Sequence, residues 1–361
     1  MILAQVASTT EPCGITSVMR GIAAHWGSPT CQGSLAGFAQ PGDRIFEGWR
    51  FRRKILRGLP GPARTELGAW LRSTEAGVLL AHYPPLDAPA LSAARRLGIK
   101  TAYYYHNVTD PSLYEGEERS RREDEDAAML ALLPTVDAVF CNSAFTADKI
   151  RRMTRCEAVV APPAVDTKLF HPAESKDEGI FRLVHVGRAV PHKGARELFS
   201  LMRRLVDTHG HVEFHYVGRI GEETYGTQCQ ALLEHPRIHW WEHLSDATMV
   251  NVLMKSHAFA SASRFEGFGM PFLEAAACGL PSVGYAVSGI PEAVVEGVTG
   301  RLVPEGDLAA MEAVLEGWIR NPEEAHRLGI SARRHAEACT WDRSVSIIRR
   351  GLGLSAVGGA R

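Results

Sequence analysis

The chain has 361 residues, room for two domains of ~150 each, and is 45% hydrophobic against 22% charged. Forty lysines and arginines against 41 acids leave a net charge of -1, which excludes intrinsic disorder and a bulk electrostatic nucleic-acid binder. No membrane span is expected either, because the most apolar charge-free stretch, Ala275 to Pro291, is broken by Gly279, Pro281, Gly284, Gly289 and Pro291.

The N-terminus lacks a basic region ahead of a sustained apolar one, so Ile2 to Val6 reads as a buried first strand and not as a signal peptide. Gly77 to Ala81, Thr101 to Tyr105 and Ala138 to Cys141 follow as strands alternating with helical patterns, as in an α/β protein with parallel sheets. Two stretches between them have unusual charge. Arg44 to Arg64 sets Arg44, Arg50, Arg52, Arg53, Lys54, Arg57 and Arg64 against Glu47, with Trp49, Phe51, Ile55 and Leu56 interleaved. It reads as a solvated helix beside the core, or else as a contact for an anionic acceptor or a membrane surface. Glu115 to Asp126 places Glu118/Arg122 and Arg119/Glu123 four apart, the pattern of an exposed helix held by weak ion pairs.

Val159 and Val160 run into Pro162 and Pro163, and a Pro-Pro pair stiffens a connector instead of continuing a sheet. The domain boundary is therefore placed near Asp166. This gives domains of 1–165 and 166–341, with a helix at about 342–361 expected to pack back on the first. The second half has clearer strands at Phe181 to Val186, Phe214 to Val217, His257 to Ala262 and Ser282 to Tyr285. The cysteines, Cys13, Cys31, Cys141, Cys156, Cys229, Cys278 and Cys339, are odd in number, scattered and without a CxxC pair. They read as free thiols in a reducing cytosol.

Two segments carry chemistry. Gly187-Arg188-Ala189-Val190-Pro191-His192-Lys193-Gly194 follows a strand and opens an amphipathic helix in which Leu198, Met202 and Leu205 share a face. Arg188 and Lys193 bring two cations to a helix N-terminus, a combination suited to a diphosphate. The segment is neither a Walker loop nor GxGxxG. Glu266-Gly267-Phe268-Gly269-Met270-Pro271-Phe272-Leu273-Glu274 follows another strand. Gly267 and Gly269 let backbone approach a ligand, Pro271 suits the start of a helix and Gly279 its end. Glu266 on the loop and Glu274 one turn into the helix can each accept hydrogen bonds from vicinal hydroxyls.

The Glu266–Glu274 spacing, with GFGMP inside it and EAAACG after, resembles the donor site of the family 4 glycosyltransferases. The Gly187 to Gly194 segment is similar to that family's phosphate-binding turn, and Val287 to Glu292 and Gly297 to Pro304 resemble the segments that follow. The resemblance runs from about Pro163 to Trp341 and implies a GT-B architecture, two doubly wound Rossmann-like domains facing across a cleft. It implies that Arg188 and Lys193 neutralise a donor diphosphate, Glu274 holds the ribose, Glu266 holds a hydroxyl of the transferred sugar, and Gly187, Gly267, Phe268, Gly269 and Met270 line the donor. In the first half, Tyr103 to Thr109 ends a strand at His106, which is similar to the family's donor-sugar contact from the opposing domain. The family's first loop commonly carries paired glycines, whereas Glu11 to Thr16 has only Gly14, which the resemblance places among the donor-binding residues.

The resemblance further implies retaining transfer of a hexose-type sugar from a nucleoside-diphosphate sugar to an acceptor hydroxyl, and a same-face displacement shielded by domain closure is the expected route. No resident cofactor or metal is expected. Asp124-Glu125-Asp126, the one DxD candidate, falls in the charged helical run, where positions i and i+2 diverge. His211, Glu213 and His215 alternate along a strand but lack a third ligand at recognisable spacing. The alternatives are a nucleotide-sugar isomerase, epimerase or phosphorylase, and a non-catalytic nucleotide-sugar-binding protein. Base, donor sugar, acceptor (glycan, lipid-linked or small natural product) and oligomeric state are not readable, although Tyr216 to Arg219 and His239 to His243 are the expected seat of the base. No nucleic-acid partner is expected, and the location is cytoplasmic or peripheral to a membrane through Arg44 to Arg64.

Overall fold

The computed structural model describes all residues except 8–13, 35–36, 39–60, 85–86, 107–109, 178, 221–223, 243 and 356–361. Most of the basic Arg44 to Arg64 stretch therefore lies outside the described residues, as do Glu11 to Cys13, Asn107 to Thr109 and His243. The chain divides into two units. One holds Met1–Val108, Ser120–Pro163 and Trp341–Arg361, the other Thr109–Arg119 and Ala164–Thr340.

The first unit is built on β1 (Leu3–Val6), β2 (Thr30–Ser34), β3 (Gly37–Phe38), β4 (Val78–Ala81), β5 (Lys100–Tyr105), β6 (Ala138–Cys141) and β7 (Val159–Val160). They lie in the order β3-β2-β1-β4-β5-β6-β7, and only the β2–β3 pair is antiparallel. Every residue of β1 and β4 is buried, as in a sheet covered on both faces, so β4 reads as a continuous apolar run and β1 as one broken by Gln5. The helix Trp341–Gly351 belongs to this unit and meets the helix Gly14–His25. Arg349 donates to the Trp26 carbonyl at 3.1 Å and stacks over its ring at 5.1 Å, and Ser344 Oγ donates to the Pro162 carbonyl.

In the second unit, β8 (Phe181–Val186), β9 (Val212–Val217), β10 (Ile238–Trp241), β11 (Ala258–Ala260), β12 (Ser282–Tyr285) and β13 (Gly300–Val303) form an all-parallel sheet. Its order is β10-β9-β8-β11-β12-β13. Alternate strand residues, with helix residues packed on them, feed two cores. Leu183, Phe214 and Tyr216 enter one, and Val184, Phe259 and Phe272 enter the other. Leu198, Met202 and Leu205 are all buried along the helix Ala195–Thr208, as their spacing predicts. Arg333 fixes the connector by donating to the carbonyls of Phe170 at 2.8 Å and Ala277 at 2.7 Å.

Several expectations need correction. Thr30–Ser34, Ile238–Trp241 and Gly300–Val303 are strands that the sequence reading passes over, and the run His257 to Ala262 pairs only from Ala258 to Ala260. The helix Gly116–Leu132 is not exposed along its whole charged run, because Asp126 is buried. Its carboxylate pairs with Lys149 at 2.8 Å and accepts from the Tyr105 hydroxyl.

Candidate functional site

Both sheets have the doubly wound order in which the winding reverses beside the first strand, between β1 and β4 and between β8 and β11. In such sheets ligands bind beyond the carboxyl ends of the strands at that reversal. In the second unit the reversal is flanked by the turn after β8 and the loop after β11, the two segments that carry the candidate residues.

The turn closes as a single tight helical turn, Pro191–Lys193, with Gly194 N–H donating to the Pro191 carbonyl at 2.9 Å. Gly194 has φ 59° and caps the next helix, and a Cβ there would lie 2.3 Å from the Ala262 carbonyl oxygen. Only glycine lets this turn sit against the end of β11. Arg264 N–H donates to the His192 carbonyl at 2.9 Å, and the buried His192 ring lies 2.5 Å from the Tyr114 hydroxyl through Nδ1. The two segments are thus stitched together from both sides.

The loop after β11 is held as firmly. Glu266 N–H donates to Ser288 Oγ, and Gly289 N–H donates to the Glu266 carbonyl, both at 3.0 Å. A Cβ on Gly289 would come within 2.2 Å of the Gly267 carbonyl oxygen, so the backbones touch. The helix Met270–Ala277 then starts at Gly269 with Pro in its first turn and no side-chain cap, leaving N–H groups at the positive end of its dipole.

This scaffold brings Lys193 and Glu266 together, 73 residues apart in sequence, with Nζ 2.5 Å from Oε1 and both side chains largely buried at 18% and 13% exposure. One N–H of the ammonium is used, two remain, and Glu266 Oε2 makes no hydrogen bond among the described residues. Phe268 is buried, while Gly187, Gly267, Met270 and Glu274 are half-buried. Arg188 is exposed and makes no side-chain hydrogen bond or ion pair among the described residues. Gly14 is exposed at the start of its helix, and His106 is half-buried directly after β5.

Sequence reading missed His185, which is buried beside the Gly187 turn. Its Nδ1–H donates to the Ala260 carbonyl at 2.9 Å, and its Nε2 has no partner among the described residues. Burial holds His185 neutral, with its pKa pushed down to about 4. His192, Tyr114 and Ser288 were also missed. His192 lies inside the Gly187 segment and Ser288 inside the Val287 to Glu292 segment, and that placement was their signal, whereas nothing in the local sequence marks Tyr114.

His211 lies outside β9, and the third member of the histidine–glutamate group is His239, which faces His215 across the β9–β10 ladder. Donor atoms of Glu213, His215 and His239 all lie within 4.8 Å of one another. Glu213 accepts from Arg182 Nε at 2.9 Å, so a guanidinium already balances that carboxylate. Tyr216, near the expected seat of the base, is buried with its hydroxyl donating to the Arg219 carbonyl at 3.0 Å.

Histidines held neutral by desolvation set a pH dependence. Burial pushes the pKa of His106 down to about 3 and those of His185 and His257 to about 4. Below about 6.5 the unfolded chain binds protons at these sites while the native protein does not, so stability is full above that pH and falls as pH drops toward 4. Urea unfolding at pH 7 and pH 5 is expected to show a loss of at most about 1.4 kcal/mol per pH unit for each histidine. Equal midpoints would contradict it.

Residues 166–335 match the family described as glycosyl transferases group 1, and residues 19–169 match glycosyltransferase family 4. The MMP alpha-(1->4)-mannosyltransferase of Mycolicibacterium hassiacum is 33% identical over 188 residues, 50% of this chain and 44% of that protein. The chain thus spans less than half the length of that curated relative. Among solved structures, sucrose-phosphate synthase from Thermosynechococcus elongatus superposes with TM-score 0.76 at 18% identity, covering 97% of each chain. Anabaena HepE in complex with UDP and glucose superposes with TM-score 0.78 at 17% identity, covering 98% of this chain and 99% of that one. The fold is that of the GT-B class, with two Rossmann-like units.

Proposed function

The chain belongs to the family 4 glycosyltransferases, and on that premise we propose that it moves a hexose-type sugar, with retention, from a nucleoside-diphosphate sugar to an acceptor hydroxyl. The observation that carries this reading is the Lys193–Glu266 pair, held at the sheet reversal beside an uncapped helix start. The complex of the HepE neighbour with UDP and glucose supports the donor class.

In the reaction, the bond from the sugar anomeric carbon to the diphosphate oxygen breaks with its electrons going to that oxygen. Charge develops there, and the free N–H groups of Lys193, Arg188 and the backbone at Gly267 to Met270 answer it in a fixed geometry. The acceptor oxygen bonds to the anomeric carbon on the face that the leaving group vacates, and its proton passes to the departing phosphate oxygen. Glu266 Oε2 accepts from a hydroxyl of the transferred sugar, Glu274 accepts from the ribose, and His106 touches a sugar hydroxyl. No metal is assigned a step, because the cations of this chain supply the charge. We place the activity in the cytoplasm, with membrane contact through Arg44 to Arg64 part of the same proposal. No described helix is long and apolar enough to cross a bilayer.

The test is a thermal-shift panel of UDP, GDP, TDP and ADP, each with and without excess chelator. One nucleotide at 100 times its Kd is expected to stabilise the protein by about 2.7 kcal/mol, equally in both buffers. Stabilisation that disappears with chelator would restore a metal role, and no stabilisation by any of the four would remove the donor class. A glycosylated acceptor, and not an altered free sugar, separates a transferase from an isomerase.

A further inference from the structure

We propose that Gln5 and His82 are positioning residues that lock His106 in a single tautomer, protonated at Nε2 with its lone pair at Nδ1, so that the donor group it reads is a hydroxyl and not a phosphate or carbonyl oxygen. The proposal rests on the reading above, in which His106 touches the donor sugar.

The direction of the chain of hydrogen bonds follows from its buried end. Gln5, in β1, is fully buried and its Nε2 donates to the Met19 carbonyl at 3.1 Å. That bond fixes the amide, so Gln5 Oε1 is an acceptor, and His82 Nε2 at 3.0 Å must carry the proton that it accepts. A neutral His82 protonated at Nε2 presents a lone pair at Nδ1. His106 Nε2, 2.9 Å from that atom, must therefore donate. Neutral His106 is left with an unprotonated Nδ1, which makes no hydrogen bond with any described residue.

Reversing the relay would turn the Gln5 oxygen toward the Met19 carbonyl oxygen and leave two buried acceptors face to face. Charging it is disfavoured as well, since burial holds His82 well below its usual range and His106 near 3. The rings have little freedom to turn. Tyr104 packs against both, with centroids 5.7 Å from His82 and 4.8 Å from His106, and Asn142 Nδ2 donates to the His106 carbonyl at 3.0 Å. The relay also has a meaningful place in the fold. Gln5 lies in β1, His82 directly follows β4 and His106 directly follows β5, three adjacent strands at the reversal of the first sheet. A lone pair held there accepts from O–H or N–H and repels an anionic oxygen, which makes it a filter for hydroxyl groups.

The experiment is a long-range proton–nitrogen correlation spectrum of the imidazoles in the full-length protein without donor, combined with donor kinetics. The wild-type protein is expected to show His106 protonated at Nε2 only. His82→Leu is expected to release the second tautomer and to raise the KM for donor about three- to tenfold, the effect of losing one neutral hydrogen bond. His82→Asn, whose amide oxygen can take the place of Nδ1, is expected to restore both. A donor deoxygenated at the hydroxyl that His106 reads should bind wild type and His82→Leu equally.

A wild-type spectrum with the proton at Nδ1 overturns the inference while leaving glycosyl transfer intact. An unchanged donor KM in folded His82→Leu overturns it too. Donor binding that His106→Ala leaves untouched removes the contact on which it rests, whatever the spectrum shows.

Discussion

Lys193→Ala is expected to lower turnover about 10²- to 10³-fold at saturating donor, the usual effect of removing one donor aimed at developing charge. The geometry explains why the loss should fall on kcat more than on KM. Lys193 is tethered to Glu266 Oε1 at 2.5 Å, so its position is fixed before substrate arrives, and two of its N–H groups remain for the leaving oxygen. An interaction that strengthens only as the diphosphate takes on charge lowers kcat and kcat/KM together when removed. Uniform ground-state binding would instead raise KM alone. Lys193→Arg should recover only part of the rate, because a planar guanidinium does not fit the place of a compact ammonium. Glu266→Gln keeps an acceptor for the lysine and tests the tether separately. The fold should survive, since Gly194 and the Arg264–His192 bond hold the turn without the lysine side chain. Near-wild-type kcat in folded Lys193→Ala would remove the mechanism.

The second unit was legible because its chemistry is tied to backbone demands that leave marks in sequence. Gly194 must adopt φ 59° against the Ala262 carbonyl, and Gly289 must let the Gly267 backbone touch it, so glycines punctuate both segments. What stayed hidden was pairing across long separations. Nothing in the local sequence joins Lys193 to Glu266 or Gln5 to His82, because these contacts follow from strand order and not from spacing. Strands with weak apolar patterns were lost for a related reason. Thr30–Ser34 reads TCQGS, and its place beside β1 comes from the ladder and not from hydrophobic alternation. Charge misled in the same way along Glu115 to Asp126, where a run of both signs gives no hint that one acid turns inward.

That inward acid supports the second large effect. Asp126→Ala is expected to destabilise the first unit by about 3–5 kcal/mol, the range for breaking a buried ion pair by removing one partner. The replacement strips Lys149 of a carboxylate at 2.8 Å and Tyr105 of the oxygen that accepts its hydroxyl, and Tyr105 lies wholly within the core. Asp126→Asn should lose less, because the amide oxygen still accepts from Tyr105, although the amide NH2 then meets the Lys149 ammonium where an oxygen stood. The same pair of variants separates two roles for Asp124-Glu125-Asp126. A structural Asp126 lowers the urea midpoint and leaves kcat of the remaining folded protein unchanged whether or not chelator is present. A carboxylate that held a divalent ion would do the reverse, costing turnover in both variants while the midpoint stayed near wild type. Glu125 is already occupied, accepting from Arg121 at 2.8 Å and from the Tyr83 hydroxyl at 3.3 Å. The run is therefore expected to behave as a brace between its helix and β5, and the midpoint is where its replacement should be seen.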